Sequence, residues 1–533
     1  MAKVVFTKEK LGKQLALTPK AIEEIQQIGI PAELTEEGVE VEALANRPDL
    51  YSLQGFVRTV KLYQGKIKPK EYPVTKPEKT HRIIIKPDVE EIRPHTVGAL
   101  IKNMTITQEV LETLIDIQEK MHKTIGRKRK KCAIGIYPAE KIAFPLTFTA
   151  KKPKEITFTP LGATKACTAE EILTTHQTGK EYAHLLEKAP RYPLFIDATG
   201  TILSMPPIIN SAETGQVTLT TKELFIECSG MHLQTLNKVL ALLTTLCVEL
   251  GGTVQGIQIE RGKETFITPT LSYTKHPFSL ERANTLLGTK ITEKELPKLC
   301  EKMGHRYDKG TIEYPPWRTD IMHEVDLIED LAIAYGYEKI TPEVPSFATT
   351  GSESPQRRQE QKISSLLIGT GFQEIMTYHA ITEEEKKRYH LKALALEGAK
   401  TEYKYLRPNL LIPALRVYHE NKDVSYPQNL YEIGTVSDEK GTERTHILVT
   451  YSPGTITHIQ QLFNYLSEQL QFPLTLKQAP LPLCIPGRSA FIMHAKKEIG
   501  YIGEIHPSTL KNAGLKMPLA VLEIDITDLI SKK

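Results

Sequence analysis

Cysteine is scarce in this chain and never paired in sequence. The six cysteines (Cys132, Cys167, Cys228, Cys247, Cys300 and Cys484) stand singly, with no Cys-x-x-Cys pair and no histidine ladder beside them. That argues against a zinc ribbon and a disulfide framework and fits a reducing cytosol. Long apolar runs are missing as well. Nowhere do eighteen apolar residues follow one another, and the N-terminal MAKVVFTKEKLGKQLAL lacks the charged, apolar, small-residue plan of a secretory leader. Neither a membrane partner nor export is therefore expected, and the protein is placed in the cytoplasm. Charge of one sign is not in excess either: a net +4 with a quarter of the residues charged gives no global field for a polyanion, only room for local basic patches. No GxxxxGK[ST] phosphate loop, GxSxG elbow or HExxH helix occurs, so a self-contained catalytic motif is lacking.

What is present suffices for several cores. With 533 residues, 40% of them hydrophobic, the expectation is about three to five domains at ~100 to 200 residues each. In residues 1–75, Thr18-Pro19 precedes the periodic run Ala21, Ile22, Ile25, Ile28, and Gly29 closes this short helix. Asn46-Arg47-Pro48-Asp49-Leu50 then reads as a turn. Proline pushes Arg47 towards an extended backbone, and Asp49 is placed to cap a helix through Leu50, Leu53, Val57 and Val60. Residues 66–81, KIKPKEYPVTKPEKTH, are too polar for a core and read as a linker. Residues 82–268 mix strand-like runs (82–86, 217–221, 224–228, 256–259) with helices from Gln108 to Lys123 and from Leu233 to Leu250.

Residues 270–345 read as helix, helix, strand, helix. Ser279 precedes LERANTLLG, and Thr292 with Glu295 forms a capping box ahead of Leu296, Leu299, Cys300 and Met303. A strand near Thr311 to Tyr314 and a long helix through Asp326, Glu329 and Ala332 complete the plan of a winged-helix-like module. Residues 350–533 make a last domain that opens on a helix from Arg357 to Leu367 and ends on a strand from Val521 to Ile526. The fold class expected is α+β and multidomain.

Three constellations can carry chemistry. Asp326, Glu329 and Asp330 stand at i, i+3 and i+4 on one helical face, where like charges repel by roughly 0.2 to 0.5 kcal/mol per pair. Asp320 can join them only from the preceding loop. An all-oxygen cluster suits Mg2+, while a solvated acidic face, or one paired with Arg318 or a lysine, would carry the same spacing. The run Arg127-Lys128-Arg129-Lys130-Lys131 after Gly126 can neutralise phosphates of a nucleic acid, though a solvated loop would look alike and no aromatic residue is interleaved for base stacking. Leu203-Ser204-Met205-Pro206-Pro207-Ile208-Ile209-Asn210-Ser211 with Glu227-Cys228-Ser229-Gly230 offers polar groups on apolar walls, either a ligand pocket or a strand with an ordered turn.

Taken in order, these pieces resemble the beta subunits of phenylalanyl-tRNA synthetases of the shorter archaeal and eukaryotic type. Asn46-Arg47-Pro48-Asp49 is similar to the family's N-terminal motif; IDIQEKMHKTIGRKRKKCAIGI and ILSMPPIIN to its editing domain; PPWRTDIMHEVDLIEDLAIAYGYEKI to its metal-bearing module. LRPNLLIPALRVYHEN, LYEIG, PGRSAFI and IGYIGEIHP resemble its degenerate class II synthetase-like domain. The resemblance implies a mixed editing domain whose pocket maps onto Gln118, Arg129, Ser204, Asn210, Glu227 and Ser229 and hydrolyses mischarged Tyr-tRNA(Phe). It implies a Mg2+ on Asp320, Asp326, Glu329 and Asp330 shared with a catalytic alpha subunit. It also implies a non-catalytic C-terminal antiparallel sheet with helices, in an expected alpha2-beta2 complex that uses ATP to join phenylalanine to tRNA(Phe).

This sequence departs from the pattern at two places. It has Glu227-Cys228-Ser229-Gly230 where relatives tend to have Asp-x-Thr-Gly, and Tyr137-Pro138 where a His-Asp pair is expected. Two other readings stay open: a free-standing editing hydrolase, against which the long C-terminal domain speaks, and a winged-helix DNA-binding protein, for which residues 291–301 carry too much acid, with Glu293, Glu295 and Glu301.

Overall fold

The computed structural model describes residues 2–346 and 349–530. It divides into two compact units, 1–344 and 345–533. Among the described residues no helix is long and apolar enough to cross a membrane.

The first unit is organised by an eleven-stranded sheet. Its path runs Ile209–Asn210, Ile202–Met205, Tyr192–Ile196, Leu146–Lys151, Arg82–Ile85, Thr253–Arg261, His95–Lys102, Leu224–Gly230, Cys132–Pro138, with Glu264–Thr268 and Val74–Thr75 also on Thr253–Arg261. The period of two decides what each face buries. Leu224, Ile226 and Cys228 turn to a core shared with the helices Gln108–Lys123 and Leu233–Glu249, whereas Phe225 joins Tyr137, Phe148 and Phe195 on the other side. Glu227 and Ser229 follow Phe225 in that alternation. Thr107 caps the first of these helices by accepting the Val110 N–H. The two ends of the sheet path are joined by hydrogen bonds from Tyr137 to Ser204 and Asn210, so the sheet curls back on itself.

The core of the first 75 residues, a sheet of Ala2–Thr7, Gly38–Ala43 and Ala32–Leu34 with the helices Pro19–Gln27 and Leu53–Tyr63, is continuous with that of the large sheet. Four local expectations are corrected. Ser52, not Asp49, caps Leu53–Tyr63, through the Gly55 N–H. Asp49 is buried instead and accepts from Arg47 at 2.9 Å. The 66–81 stretch is stitched down: Tyr72 is buried with its hydroxyl 3.1 Å from Glu249, and Val74–Thr75 pairs with the sheet. Residues 217–221 form a turn, not a strand, closed by Thr218 N–H to Thr221 Oγ1 at 3.0 Å. The Thr292 and Glu295 contacts form, but the helix begins only at Leu296, spanning Leu296–Lys302 with Pro297 in its first turn.

Residues 274–335 form an antiparallel sheet, Thr274–Pro277, Thr311–Tyr314 and Arg306–Asp308 in spatial order, against Leu280–Leu287, Leu296–Lys302 and Glu324–Tyr335.

The second unit is a seven-stranded sheet ordered Gln373–Glu374, Gln428–Ser437, Glu443–Ser452, Ala520–Asp525, Lys497–Ile505, Cys484–His494, Leu474–Gln478, antiparallel except for the first pair. Both faces are covered. Ile447, Val449 and Leu522 meet Pro355–Gly369 and Ile456–Leu470, while Leu448 and Val521 meet Leu411–Glu420. Within it Arg407, 1% exposed, is held by Glu432 at 2.7 Å and Thr377 at 2.7 Å.

Candidate functional site

Between the helix Gln108–Lys123 and the curled ends of the sheet lies a cavity of about 670 Å³. Its walls are apolar, from Leu111, Leu114 and Ile115 on the helix to Pro206, Ile208 and Val217 opposite. Five of the six residues expected to form a pocket, Gln118, Arg129, Ser204, Asn210 and Glu227, line it together. The sixth, Ser229, does not. It is fully buried one strand position behind, its hydroxyl accepting from Arg93 Nε at 3.0 Å.

Each lining polar group has a local reason for its place. Gln118 donates to the Ile134 carbonyl at 2.8 Å, which orients its amide from the helix towards the edge strand. Arg129 donates to the Ile208 carbonyl at 2.9 Å and to Glu119 at 3.1 Å, and its guanidinium stacks 4.3 Å over the Tyr182 ring. Ser204 and Asn210 are cross-strand partners. His122 Nε2 accepts the Ile134 N–H at 2.9 Å, so its proton sits on Nδ1, facing Glu119 at 3.3 Å. The His122 contact holds the Glu119 carboxyl down at about 2, against the effect of partial burial and with help from Arg129.

Glu227 is the electrostatic centre. It is 2% exposed, and burial pushes its carboxyl up to about 8, with Arg93 and Tyr137 pulling the other way. Oε1 lies 3.2 Å from the Tyr137 hydroxyl, whereas Oε2 is buried away from the open space of the cavity, on a carboxyl that also has the Ser229 hydroxyl as a hydrogen-bonding neighbour. Gln118, Arg129, Ser204, Asn210 and Glu227 set a few polar groups among apolar walls, a lining suited to a hydroxyl-bearing group on an otherwise apolar body.

Arg93, Glu119 and His122 were not among the expected site residues, and Tyr137 was marked only as a departure from the family's His-Asp pair. His122 stands one turn from Gln118 on a periodic helix, a signal that was available. Arg93 sits in EEIRPH with no motif to mark it. Beside the cavity the basic run makes a tight loop. Arg127, Lys128 and Arg129 are consecutive non-glycine residues at φ 48°, 53° and 64°, which costs each of them steric strain. Arg127, Lys128 and Lys130 are exposed, while Arg129 points inward.

The four carboxylates of the middle module are divided among different partners. Arg318, 5% exposed, pairs with Asp320 at 2.7 Å and Asp330 at 2.6 Å. Asp330 also meets His305 at 2.7 Å. Although burial works against ionisation, Arg318 and then His305 hold Asp330 well below the usual carboxylate range. Asp326 accepts the N–H groups of Met322 and His323 at 2.8 Å each, capping its own helix. Glu329 is exposed. Among the described residues no three His, Cys, Asp or Glu side chains converge as a cation site. A divalent ion held by all four carboxylates does not fit this arrangement, because two are neutralised by Arg318. Asp326 and Glu329 are the two that Arg318 does not neutralise, and Mg2+ takes few protein ligands and keeps several waters.

Comparison with known proteins adds a separate line of information. Residues 276–337 match the tRNA synthetase B5 domain, and residues 340–526 match the phenylalanyl tRNA synthetase beta chain CLM domain. The phenylalanine--tRNA ligase beta subunit of Thermococcus sibiricus is 33% identical over 498 residues, covering 90% of this chain and 88% of that protein. The Archaeoglobus fulgidus protein of the same name is 32% identical over 518 residues, 94% of each chain. The crystal structure of an N-terminal fragment of the phenylalanyl-tRNA synthetase beta-subunit from Pyrococcus horikoshii superposes with a TM-score of 0.59 at 32% identity, covering 63% of this chain and 99% of the fragment.

Proposed function

Since the chain belongs to the phenylalanine--tRNA ligase beta-subunit family, we propose that it works in an alpha2-beta2 complex whose alpha subunit holds the ATP-dependent site joining phenylalanine to tRNA(Phe), and that its own cavity hydrolyses mischarged Tyr-tRNA(Phe). The role of beta subunit in a ligase complex follows from the family. The editing reading is carried by one observation: a cavity of about 670 Å³ with apolar walls on which Gln118, Arg129, Ser204, Asn210 and Glu227 come together.

The chemistry that needs such a cavity is plain. A pocket built for phenylalanine rejects an isostere with one added hydroxyl by only ~100-fold, so a second pocket that recognises the hydroxyl corrects the error. In this reading the apolar walls take the ring and the polar groups set among them meet the hydroxyl. Arg129 and Gln118, anchored by carbonyls, would receive the ester end of the ligand. Arg127, Lys128 and Lys130 beside the cavity are the phosphate contacts for the tRNA end.

We read residues 82–268 as the editing domain, 270–345 as a winged-helix-like module, and 350–533 as a class II synthetase-like domain without catalysis of its own. The last assignment is supported by Arg407 and Glu432, buried charges that neutralise each other and offer nothing to a ligand. Asp326 and Glu329 would hold a Mg2+ shared with the alpha subunit, with Asp320 and Asp330 kept behind them by Arg318. When bound, the ion would neutralise that acidic face at the contact between chains.

Co-expression with the alpha subunit tests the whole assignment. Phenylalanine charging is expected only with both chains, and hydrolysis of Tyr-tRNA(Phe) is expected from the complex and not from a complex carrying R129A. A complex that charges phenylalanine but leaves Tyr-tRNA(Phe) intact over the spontaneous rate removes the editing reading and leaves the subunit role.

A further inference from the structure

The hydroxyl of Tyr137 is the point on which three of the lining residues converge: Ser204 Oγ at 2.8 Å, Asn210 Oδ1 at 3.3 Å and Glu227 Oε1 at 3.2 Å. The phenol is fully buried and does not itself line the cavity. It reaches these groups from behind, its ring stacked on Phe225 with centroids 5.6 Å apart. The approach depends on Gly135, where a Cβ would fall 2.3 Å from the Tyr137 hydroxyl and 2.6 Å from Glu227 Oε1. A serine hydroxyl, an amide oxygen and a carboxylate around one point make a good site for a phenol, and here the phenol belongs to the chain itself.

We infer that Tyr137 is a specificity-determining residue: its hydroxyl engages from inside the polar groups that would otherwise read a ligand's hydroxyl. This inference rests on the editing reading of the cavity. A site rejects an analogue lacking the hydroxyl by about 10⁴ to 10⁵ when the analogue leaves its buried polar groups unpaired, and far less when it does not. Here the phenol's one proton and its lone pairs engage Ser204, Asn210 and Glu227 Oε1 with or without a ligand, so phenylalanine in the cavity strands little that tyrosine would pair. Discrimination of tyrosyl from phenylalanyl esters is then held to about a hundredfold. Burial, and then Glu227, raise the Tyr137 phenol well above its ordinary range, so it stays a neutral donor at any working pH. Y137F keeps the ring and its stacking on Phe225 but returns three polar groups to the ligand.

The test uses the complex of this chain with its alpha subunit, wild type and Y137F, with phenylalanine charging as the check on folding. Hydrolysis of Tyr-tRNA(Phe) and Phe-tRNA(Phe) is measured, and so is the affinity of amide-linked 3′-tyrosyl- and 3′-phenylalanyl-aminoadenosine, which cannot be hydrolysed. The wild type is expected to prefer the tyrosyl ester by no more than about a hundredfold, and Y137F to raise that preference at least tenfold, in hydrolysis and in Kd alike. A wild-type preference near 10⁴, or an unchanged preference in Y137F, overturns the role of Tyr137. If neither ester is hydrolysed but the Kd ratio rises in Y137F, the editing reading fails and the Tyr137 role stands. If the tyrosyl ester is hydrolysed and neither ratio moves, the outcome is the reverse. The wild-type ratio decides by itself should Y137F not assemble.

Discussion

Replacing Glu227 with glutamine probes the charge at the centre of the cavity. Burial raises this carboxyl from the ordinary 4.5 to about 8, with Arg93 and Tyr137 acting against it. The folded chain therefore binds the proton more tightly than the unfolded chain. The stabilisation is fully present below about pH 4.5 and is lost as the pH rises through 8. At about 1.4 kcal/mol per unit, the loss between pH 4.5 and 7 is about 3 kcal/mol. Glutamine has the same shape, still accepts from the Tyr137 hydroxyl through its carbonyl, and has no proton to lose. E227Q is expected to be level with the wild type near pH 4.5 and more stable by about 3 kcal/mol at pH 7. That corresponds to roughly 4 °C in the melting of the first unit, given its length. Calorimetry between pH 4.5 and 8.5 on both proteins measures it. A difference that stays flat with pH, or an E227Q that melts lower at pH 7, would refute a carboxyl buried in its neutral form.

R318A should strand Asp320 and Asp330 without a cation and cost about 3 to 5 kcal/mol of stability by denaturant unfolding; a loss under about 1 kcal/mol would mean that water already solvates them. Substituting Arg127, Lys128 and Lys130 together by alanine should flatten the dependence of tRNA affinity on salt by about 2 to 3 in log–log slope, and an identical slope would exclude the loop from the tRNA path. G135A drives a methyl into the Tyr137 and Glu227 contact, and an overpacking cost of about 1 to 3 kcal/mol with loss of Tyr-tRNA(Phe) hydrolysis is expected. Retention of both stability and hydrolysis would show that the contact is dispensable.

Local order was legible in the chain wherever one element could satisfy itself. The helix Gln108–Lys123 has its cap at Thr107 and its apolar stripe at three- and four-residue steps, and the strand Leu224–Gly230 alternates between two cores. The resemblance further named Gln118, Arg129, Ser204, Asn210 and Glu227, and the fold brings all five to one cavity. It could not say which charges were already spent. Spacing put Asp326, Glu329 and Asp330 on one face, yet Arg318 and His305 claim Asp330, and a backbone cap claims Asp326. The polar stretch around Tyr72 lacked a core of its own and borrowed one from Glu249 and the sheet. The same holds for Tyr137, marked in the sequence only as a departure from the family pattern, until the sheet curls and sets Ser204 and Asn210 against it. Periodicity tells a side chain whether it faces inward, because that depends on its own element. The partner of a buried charge or hydroxyl comes from segments far along the chain, and only the closed tertiary structure decides it.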